Sequence, residues 1–275
     1  MIQYSGASEQ GPVRTNNEDF IAHRSPEEDA LRCARGHLFA VADGVGGGQA
    51  GEVASKEAAQ TLINLYYSLP GTWGRALQEA FQKANEHVYD LGRSRPEYRK
   101  MQTTLSAIAV LNNEAIVGHV GDTRIYQVRD REIEQLTRDH SDVAELLRMR
   151  LITPDEARHH PRRNVITRSI GSEMLLQAQY RNIEVELGDH FVLCSDGLWE
   201  PIEDRELVHA VTRHSPAHAC RTLLDLAIER GTSDNLSIQI IKVVEWERNG
   251  RPRVARKGGY LRKALRVFRK NQKGA

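Results

Sequence analysis

The sequence has little cysteine and no long hydrophobic run. Its three cysteines, Cys33, Cys194 and Cys220, are too few and too scattered for a disulfide framework or a thiolate metal site. No apolar run approaches the roughly 18 residues that span a bilayer, and the first residues lack a basic segment followed by an apolar one. We therefore expect a soluble, unexported protein of the cytoplasm.

Acidic residues are absent from the last 28 positions. Residues 248–275 contain eleven Lys or Arg, which leaves 27 basic and 37 acidic side chains in residues 1–247, a formal charge of −10. The chain has 275 residues, of which 40% are hydrophobic, and this length and composition are typical of one folded domain. The sequence therefore predicts a folded domain over residues 1–247 and a separate basic tail over 248–275.

The tail has the pattern of a short amphipathic helix. One helical face carries apolar side chains and most of the remainder is basic; the apolar positions are Tyr260, Leu261, Ala264, Leu265 and Phe268. Such a segment suits an anionic membrane surface, an acidic protein or nucleic acid, and a solvated or autoinhibitory tail remains an alternative. We favour shallow attachment to the inner face of the membrane and expect no nucleic acid partner.

Hydrophobic periodicity predicts mixed secondary structure. Strands are expected near residues 2–7, 20–23, 37–42, 105–111, 115–120, 125–128, 177–185, 191–194 and 236–244. Helices are expected over 52–67, 73–91, 205–213 and 216–230, with a helical insertion between 140 and 160. Because strands follow one another without helices between them, the fold class is α+β with antiparallel sheets.

Carboxylates recur at the ends of apolar strands. Asp43 and Asp196 follow two such strands and each precedes a glycine, while Asp19 and Asp234 directly precede two others. If they converge, carboxylates about 4 Å apart repel by roughly 4 kcal/mol per pair at an effective dielectric near 20. An all-oxygen set of this charge favours Mg²⁺ or Mn²⁺ over Zn²⁺. Each Asp-Gly or Asp-Asn pair alone is also an ordinary turn signal.

Other phosphate-binding patterns fail in this sequence. Residues 46–51 formally satisfy G-x-G-x-x-G, but no acidic residue lies in 62–71 and no parallel βαβ unit follows. The chain contains no G-x-x-x-x-G-K-[ST] segment, and none of its cysteines is followed six positions later by arginine. The sequence thus excludes a standard dinucleotide fold, a P-loop and a cysteine-dependent phosphatase.

Six segments occur in an order typical of one family. They are Gly11 to Asp19, Val41 to Gly47, Thr103 to Leu105, Gly121 to Tyr126, Cys194 to Trp199 and Ser233 to Ser237. This ordered set closely resembles the motifs of the metal-dependent type 2C Ser/Thr protein phosphatases, the PPM family, in their bacterial form. The resemblance covers residue 2 to about residue 244 and excludes the basic tail.

The resemblance implies a four-layer α-β-β-α sandwich with two central, mainly antiparallel sheets, a helical flap over about 139–170, and a binuclear Mg²⁺ or Mn²⁺ centre. In that pattern Asp43 bridges two ions and the Gly44 carbonyl binds one of them. The remaining ligands would be Asp19, Asp196 and Asp234, while Glu18 would bind an ion directly or lie just behind the ligands that do. Asp122 matches a ligand of a third ion that bacterial members often hold.

The resemblance also implies a mechanism in which a metal-bridging hydroxide attacks a phosphoserine or phosphothreonine. Arg14 matches the arginine that binds phosphate, and its planar guanidinium can donate two parallel hydrogen bonds. Asp43 is expected to be essential for turnover. The sequence departs from the eukaryotic pattern at Val45, and from many bacterial members at Gly48, where histidine stands in those proteins. We therefore expect metal-bound water to protonate the leaving group.

Several expectations concern substrates and competing functions. The flap should contribute to substrate choice, and its histidines His140, His159 and His160 should be solvated or cap helices. Substrates would be phosphoserine or phosphothreonine proteins, including a Ser/Thr kinase, and we expect a monomer. Alternatives are a catalytically silent phosphatase-like binding module and, more distantly, a nuclease or phosphodiesterase that uses the same ions.

Overall fold

Two antiparallel sheets make up the centre of the fold. The computed structural model describes residues 2–45, 50–158 and 160–245, and within them ten strands form two five-stranded sheets. The first sheet has the order β1-β10-β9-β6-β7 and comprises β1 (Ile2–Glu9), β10 (Leu236–Val243), β9 (His190–Cys194), β6 (Arg124–Arg129) and β7 (Glu132–Gln135). The second has the order β2-β3-β4-β5-β8 and comprises β2 (Asp19–Arg24), β3 (His37–Asp43), β4 (Leu105–Leu111), β5 (Glu114–Val120) and β8 (Gln179–Glu184).

Helices cover the outer face of each sheet. The second sheet packs against α2 (Gly51–Ser68) and α3 (Trp73–Ser94), and the first packs against α7 (Asp204–Arg213) and α8 (Pro216–Glu229). A third apolar cluster, which includes Phe39, Val41 and Phe191, fills the space between the sheets. Because side chains alternate along a strand, β3 sends Leu38 and Ala40 to the helices and Phe39 and Val41 to the other sheet. The predicted four-layer α-β-β-α sandwich is confirmed.

The expected insertion lies in the chain between β7 and β8. It contains two short helices, α4 (Asp142–Arg148) and α5 (Pro154–Arg158), and its far end returns to the second sheet through backbone hydrogen bonds between Thr103 and Ile170. The N-terminus of α5 has the capping arrangement read from the sequence, since the Thr153 amide donates to Glu156 Oε2 at 2.7 Å. The flap is thus anchored next to the start of β4.

Three short elements were not expected from periodicity. They are α1 (Asp29–Arg35), β7, and the single helical turn α6 (Asp196–Trp199); a 3-10 turn at Pro96–Tyr98 accompanies them. β7 reads Glu-Ile-Glu-Gln and offers one apolar side chain, so its pairing with β6 carries no clear sequence signal.

No helix in the described part of the chain combines the length and the hydropathy needed to cross a membrane. The predicted amphipathic tail over 248–275, and Gly48 and His159, lie outside the described residues.

Candidate metal centre

Strand register brings the predicted acidic residues to one end of the sandwich. Asp19 at the start of β2 is the direct antiparallel partner of Asp43 at the end of β3. In the other sheet Arg124 of β6 is paired with Cys194 of β9, so Asp122, two residues before β6, and Asp196, two residues after β9, lie at the same end of the sheet. Asp234 lies two residues before β10, which pairs with β9. Acids from both sheets therefore meet at the same edge.

Ser195 joins the two sheets beneath these acids. Its fully buried hydroxyl donates to Asp19 Oδ2 at 2.6 Å and accepts the Ser237 amide at 3.0 Å. One side chain on the loop after β9 thereby contacts residues of β2 and β10. The sequence analysis did not assign a role to Ser195, although a small hydroxyl directly before Asp196 was the available signal.

Two threonines fix the backbone of Asp43. The Asp43 amide donates to Thr104 Oγ1 at 2.9 Å, and Thr103 Oγ1 donates to the Asp43 carbonyl at 2.8 Å. Both threonines are buried, and the Thr104 amide also donates to the Asp43 carbonyl at 2.8 Å. The Thr-Thr pair, which the sequence showed only as part of a motif, therefore holds the backbone of Asp43.

Gly44 is required by a close approach of two backbone segments. A Cβ atom built on Gly44 would lie 2.5 Å from the carbonyl carbon and oxygen of Gly51, at the start of α2. Glu18 occupies the same corner: its carbonyl accepts the Gly44 amide at 3.0 Å, and its side chain lies against Gly51. The loop after β3, the first turn of α2 and Glu18 are thus tightly packed together.

Asn235 orders the loop that carries Arg14 and Glu18. Its Oδ1 accepts the Glu18 amide at 2.9 Å, and its Nδ2 donates to the carbonyls of Gln10 and Asn16, both at 2.8 Å. The buried Asn235 side chain therefore forms hydrogen bonds with three backbone groups of a loop near the start of the chain and positions that loop over the site. The sequence analysis identified Asn235 only as a motif member.

Arg14 contacts one of the predicted metal ligands directly. Its guanidinium donates to Asp234 Oδ2 at 2.6 Å, and 42% of the Arg14 side chain and 29% of the Asp234 side chain are exposed. The predicted phosphate-binding arginine therefore lies at the open side of the acidic cluster, where a solvent-borne anion could reach it.

Electrostatics in the cluster strongly disfavour several ionised carboxylates at once. Desolvation raises the pKa of Asp43 well above its ordinary range, and the charges of Asp19, Asp196, Asp122 and Asp234 add to that effect. Desolvation likewise raises the pKa of Asp19 to about 6 and that of Asp122 to about 7. The mutual effect of the five acids shows that the structure brings them together.

Two buried carboxylate oxygens of the cluster have no hydrogen-bond partner among the described residues. Asp19 Oδ1 and Asp196 Oδ1 are inaccessible to solvent and accept no hydrogen bond. Unpaired buried oxygen atoms of this kind are destabilising unless a cation or donor compensates them. The donor set is all oxygen and highly charged, so both its position and its chemistry fit hard divalent cations.

The acidic side chains of the cluster do not converge on one point. Within residues 2–45, 50–158 and 160–245, no group of three or more His, Cys, Asp or Glu side chains is arranged to hold a metal ion as it stands. Like-charge repulsion separates such carboxylates, and Asp234 is drawn towards Arg14. Cation binding would therefore require small side-chain rotations from this arrangement.

Histidines near the site are buried and neutral. Desolvation lowers the pKa of His119 to about 4 and that of His140 to about 3. His140 accepts the Gly121 amide at 3.1 Å through Nδ1, and its ring stacks on that of His119. The expectation of a solvated or helix-capping role was therefore wrong for His140, because this side chain is needed to hold the loop before Asp122.

Comparisons with known proteins agree with this arrangement. The family model described as "Protein phosphatase 2C" matches residues 4–236. The protein phosphatase PhpP of Streptococcus pneumoniae is 34% identical over 249 residues, which cover 89% of this chain and 98% of that protein. The serine/threonine protein phosphatase PstP of Mycobacterium tuberculosis is 34% identical over 249 residues, 90% of this chain and 46% of PstP.

Solved structures show the same fold. The crystal structure of the phosphatase Stp1 from Staphylococcus aureus superposes with a TM-score of 0.82 at 27% identity, covering 89% of this chain and 96% of that one. The catalytic domain of PstP in complex with two manganese ions gives a TM-score of 0.77 at 33% identity, covering 89% of this chain and 99% of that domain. The chain described here therefore belongs to the protein phosphatase 2C family.

Proposed function

We propose that this protein is a Mg²⁺- or Mn²⁺-dependent Ser/Thr protein phosphatase. The observation that carries the proposal is the cluster of acids from both sheets, in which Asp19 and Asp196 each hold a buried oxygen without a partner. Membership of the family and the manganese ions in the PstP structure support it. A catalytically silent binding module would have no need to retain five destabilising carboxylates at one edge.

We assign the ligand roles as follows. Two cations would be held by the carboxylates of Asp19, Asp43, Asp196 and Asp234 and by the Gly44 carbonyl, with Glu18 adjacent. Asp43 would help to hold both cations, since it lies near Asp19 and Asp196, whose charges both act on it. Asp122 would extend the cluster towards an additional ion.

When bound, the cations would lower the pKa of water, aim it at phosphorus and neutralise charge on the phosphoryl oxygens. Arg14 would orient the substrate by donating hydrogen bonds to its phosphate, for which its guanidinium must leave Asp234. Thr103 and Thr104 would keep Asp43 in place throughout.

Protonation of the leaving group is assigned to water. Val45 occupies the position directly after Gly44, and neither His119 nor His140 can donate a proton, since both pKa values are lowered by burial. His140 Nδ1 also serves as an acceptor for the Gly121 amide. No described histidine therefore serves as general acid in this proposal.

Domain roles and partners follow from the same proposal. Residues 1–247 would form the catalytic domain, and the flap at about 139–170 would influence substrate choice because it is anchored beside Asp43 through Thr103. Substrates would be phosphoserine or phosphothreonine proteins, among them a Ser/Thr kinase, and the protein would act as a monomer.

The tail would place the enzyme at the inner face of the cytoplasmic membrane. Its eleven positive charges would attract anionic lipid headgroups, whereas nucleic acid is not proposed as a partner.

The free thiols Cys194 and Cys220 are buried, and burial raises the pKa of Cys194 to about 12, which makes it a core residue without redox chemistry.

Hydrolysis assays test the catalytic proposal. Phosphate release from p-nitrophenyl phosphate and from a phosphothreonine peptide is measured with Mn²⁺, with Mg²⁺ and with EDTA. We expect turnover of both substrates only with added metal. Turnover in EDTA, or its absence under every metal condition, would contradict the proposal.

A further inference from the structure

The backbone on both sides of Asp122 is held by side chains. Trp199 Nε1 donates to the Asp122 carbonyl at 3.1 Å. On the preceding residue, the Gly121 amide donates to His140 Nδ1 at 3.1 Å, and the Gly121 carbonyl accepts the His140 amide at 2.7 Å. These bonds therefore fix the backbone position of the loop from which the Asp122 side chain projects.

Arg124 fixes the indole that makes the first contact. The centre of its guanidinium lies 3.4 Å from the Trp199 ring centroid. The same guanidinium donates to both carboxylate oxygens of Asp139, from Nε at 3.1 Å and from a terminal nitrogen at 2.7 Å. Gln135 Nε2 donates to Asp139 at 2.9 Å. Because a forked ion pair and a stacked ring both restrict orientation, the indole is held in one direction.

This arrangement holds the loop of Asp122 beside the metal centre. Trp199 ends the helical turn that Asp196 begins, and its indole donates to the Asp122 carbonyl. Desolvation raises the pKa of Asp196, and the charge of Asp122 raises it further, which shows that the two carboxylates lie close together. Trp199 therefore links the loop of Asp122 to the turn that carries Asp196.

We propose that Trp199 and Arg124 are positioning residues that hold Asp122 at the edge of the acidic cluster so that it can bind an additional divalent cation. The proposal rests on the proposed metal-dependent function. Both side chains would act through Asp122 and not on the substrate, and their role is to set the affinity of one ion among those bound.

Manganese binding by the full-length protein tests the proposal. Calorimetric titration is carried out on wild type, Asp122→Ala, Trp199→Phe and Arg124→Lys. Trp199→Phe keeps a stacked ring and removes only the donor to Asp122. We expect the Asp122-dependent ion to bind about tenfold more weakly in Trp199→Phe and Arg124→Lys, while the tighter ions are unaffected.

Matched variants control for loss of structure. Arg129→Lys alters an Arg–Asp fork at the other end of β6, where Arg129 donates to both oxygens of Asp189 at 2.7 and 2.6 Å. Trp73→Phe alters a tryptophan at the start of α3. Both should bind every ion as wild type does. Wild-type affinity for all ions in Trp199→Phe, or equal weakening in Arg129→Lys, would overturn the proposal.

Fluorescence gives a second measurement that leaves the contacts intact. In a Trp73→Phe/Trp246→Phe variant, Trp199 is the remaining fluorophore, and paramagnetic Mn²⁺ near Asp122 should quench it. We expect quenching in the concentration range of the additional ion and its loss on adding Asp122→Ala. Unquenched Trp199 would overturn the positioning role. Failure of the proposed function would differ, because no ion would bind tightly and no phosphate would be released.

Discussion

The surroundings of Asp43 disfavour its ionised form, since desolvation and four other carboxylates raise its pKa. Asp43→Asn keeps the shape of the side chain and both backbone bonds to the threonines. We expect it to abolish turnover and to stabilise the metal-free fold, because an amide has no charge to desolvate. Urea unfolding in EDTA and phosphate release with Mn²⁺ check the two effects. Retained turnover, or a less stable metal-free variant, would contradict the proposed role.

Arg14 lies at the open side of the site, paired with Asp234. If it orients ground-state phosphate, Arg14→Ala should raise KM for p-nitrophenyl phosphate about tenfold and lower kcat by less than about threefold. Inhibition by inorganic phosphate should weaken by the same factor as KM rises. Arg181→Ala, which removes a surface ion pair between Arg181 of β8 and Glu134 of β7, is the control. An unchanged KM in Arg14→Ala would rule out the anchoring role.

Individual residues differ in how much of their role could be predicted. Asp19, Asp43, Asp196 and Asp234 stood out because carboxylates at the ends of apolar strands are costly without a ligand. Ser195 gave no comparable signal, because a serine before an aspartate also suits a turn. Its two hydrogen bonds depend on a contact between the sheets that only the folded chain contains.

At the scale of elements, the join between β3 and α2 controls the shape of the site. Gly44→Ala would place a Cβ 2.5 Å from the Gly51 carbonyl group and push the first turn of α2 away from β3. We expect a loss of about 1 to 3 kcal/mol in stability and a much larger loss of turnover. Thermal unfolding and p-nitrophenyl phosphate hydrolysis are the measurements.

Gly74→Ala in α3 is the matched control for that substitution. A Cβ there would meet only the end of the flexible Ile116 side chain at 3.0 Å, within a helix that favours alanine. Its turnover should equal that of wild type. If Gly44→Ala behaved like Gly74→Ala, the close approach of β3 and α2 would not be important for the site.

The long periodic helices were predicted within a few residues, whereas the short elements α1, β7 and α6 were not expected. Helices α2 and α3 of 18 and 22 residues supply many repeats of an apolar face, so their limits agree with the sequence within a few residues. In contrast, α1 has seven residues and α6 has four. Elements of this length form through tertiary contacts, because two turns or fewer cannot be stable alone.

For the whole molecule, the raised pKa values link stability to pH. The folded-state pKa values of Asp19, about 6, and Asp122, about 7, exceed the ordinary 3.8, so the metal-free fold binds protons more tightly than the unfolded chain. These two carboxyls therefore contribute stability at low pH that is lost as pH rises from about 4 through 6 to 7. The lowered pKa values of His119 and His140 act in the opposite direction up to about pH 6.5. In EDTA, the melting temperature should therefore fall between about pH 6.5 and about pH 8, where only the carboxyls still titrate.

Manganese should remove that fall by neutralising the ionised cluster, with the largest stabilisation at the higher pH. Asp19→Asn should show a shallower dependence in EDTA, because one of the titrating groups is gone. A metal-free melting temperature that stays constant or increases over this range would contradict the assignment.

The tail can be tested separately from the catalytic domain. Deletion of residues 251–275 should leave turnover of p-nitrophenyl phosphate nearly unchanged and abolish binding to vesicles that contain anionic lipid. Binding of the intact protein should weaken steeply with salt, since the Debye length is only about 8 Å at physiological ionic strength. A several-fold rise in turnover after deletion would indicate autoinhibition, and absence of vesicle binding at low salt would contradict the membrane proposal.

The pairing of β1 with β10 has a consequence for biosynthesis. Ile2 pairs with Val243, so the first strand has no partner until almost the whole domain has left the ribosome. The ligand set has the same dependence, because Asp19 and Asp43 are made early and Asp234 is made last. A nascent chain arrested before residue 234 therefore lacks both a complete first sheet and a complete cation site. Metal capture should thus follow the synthesis of β10.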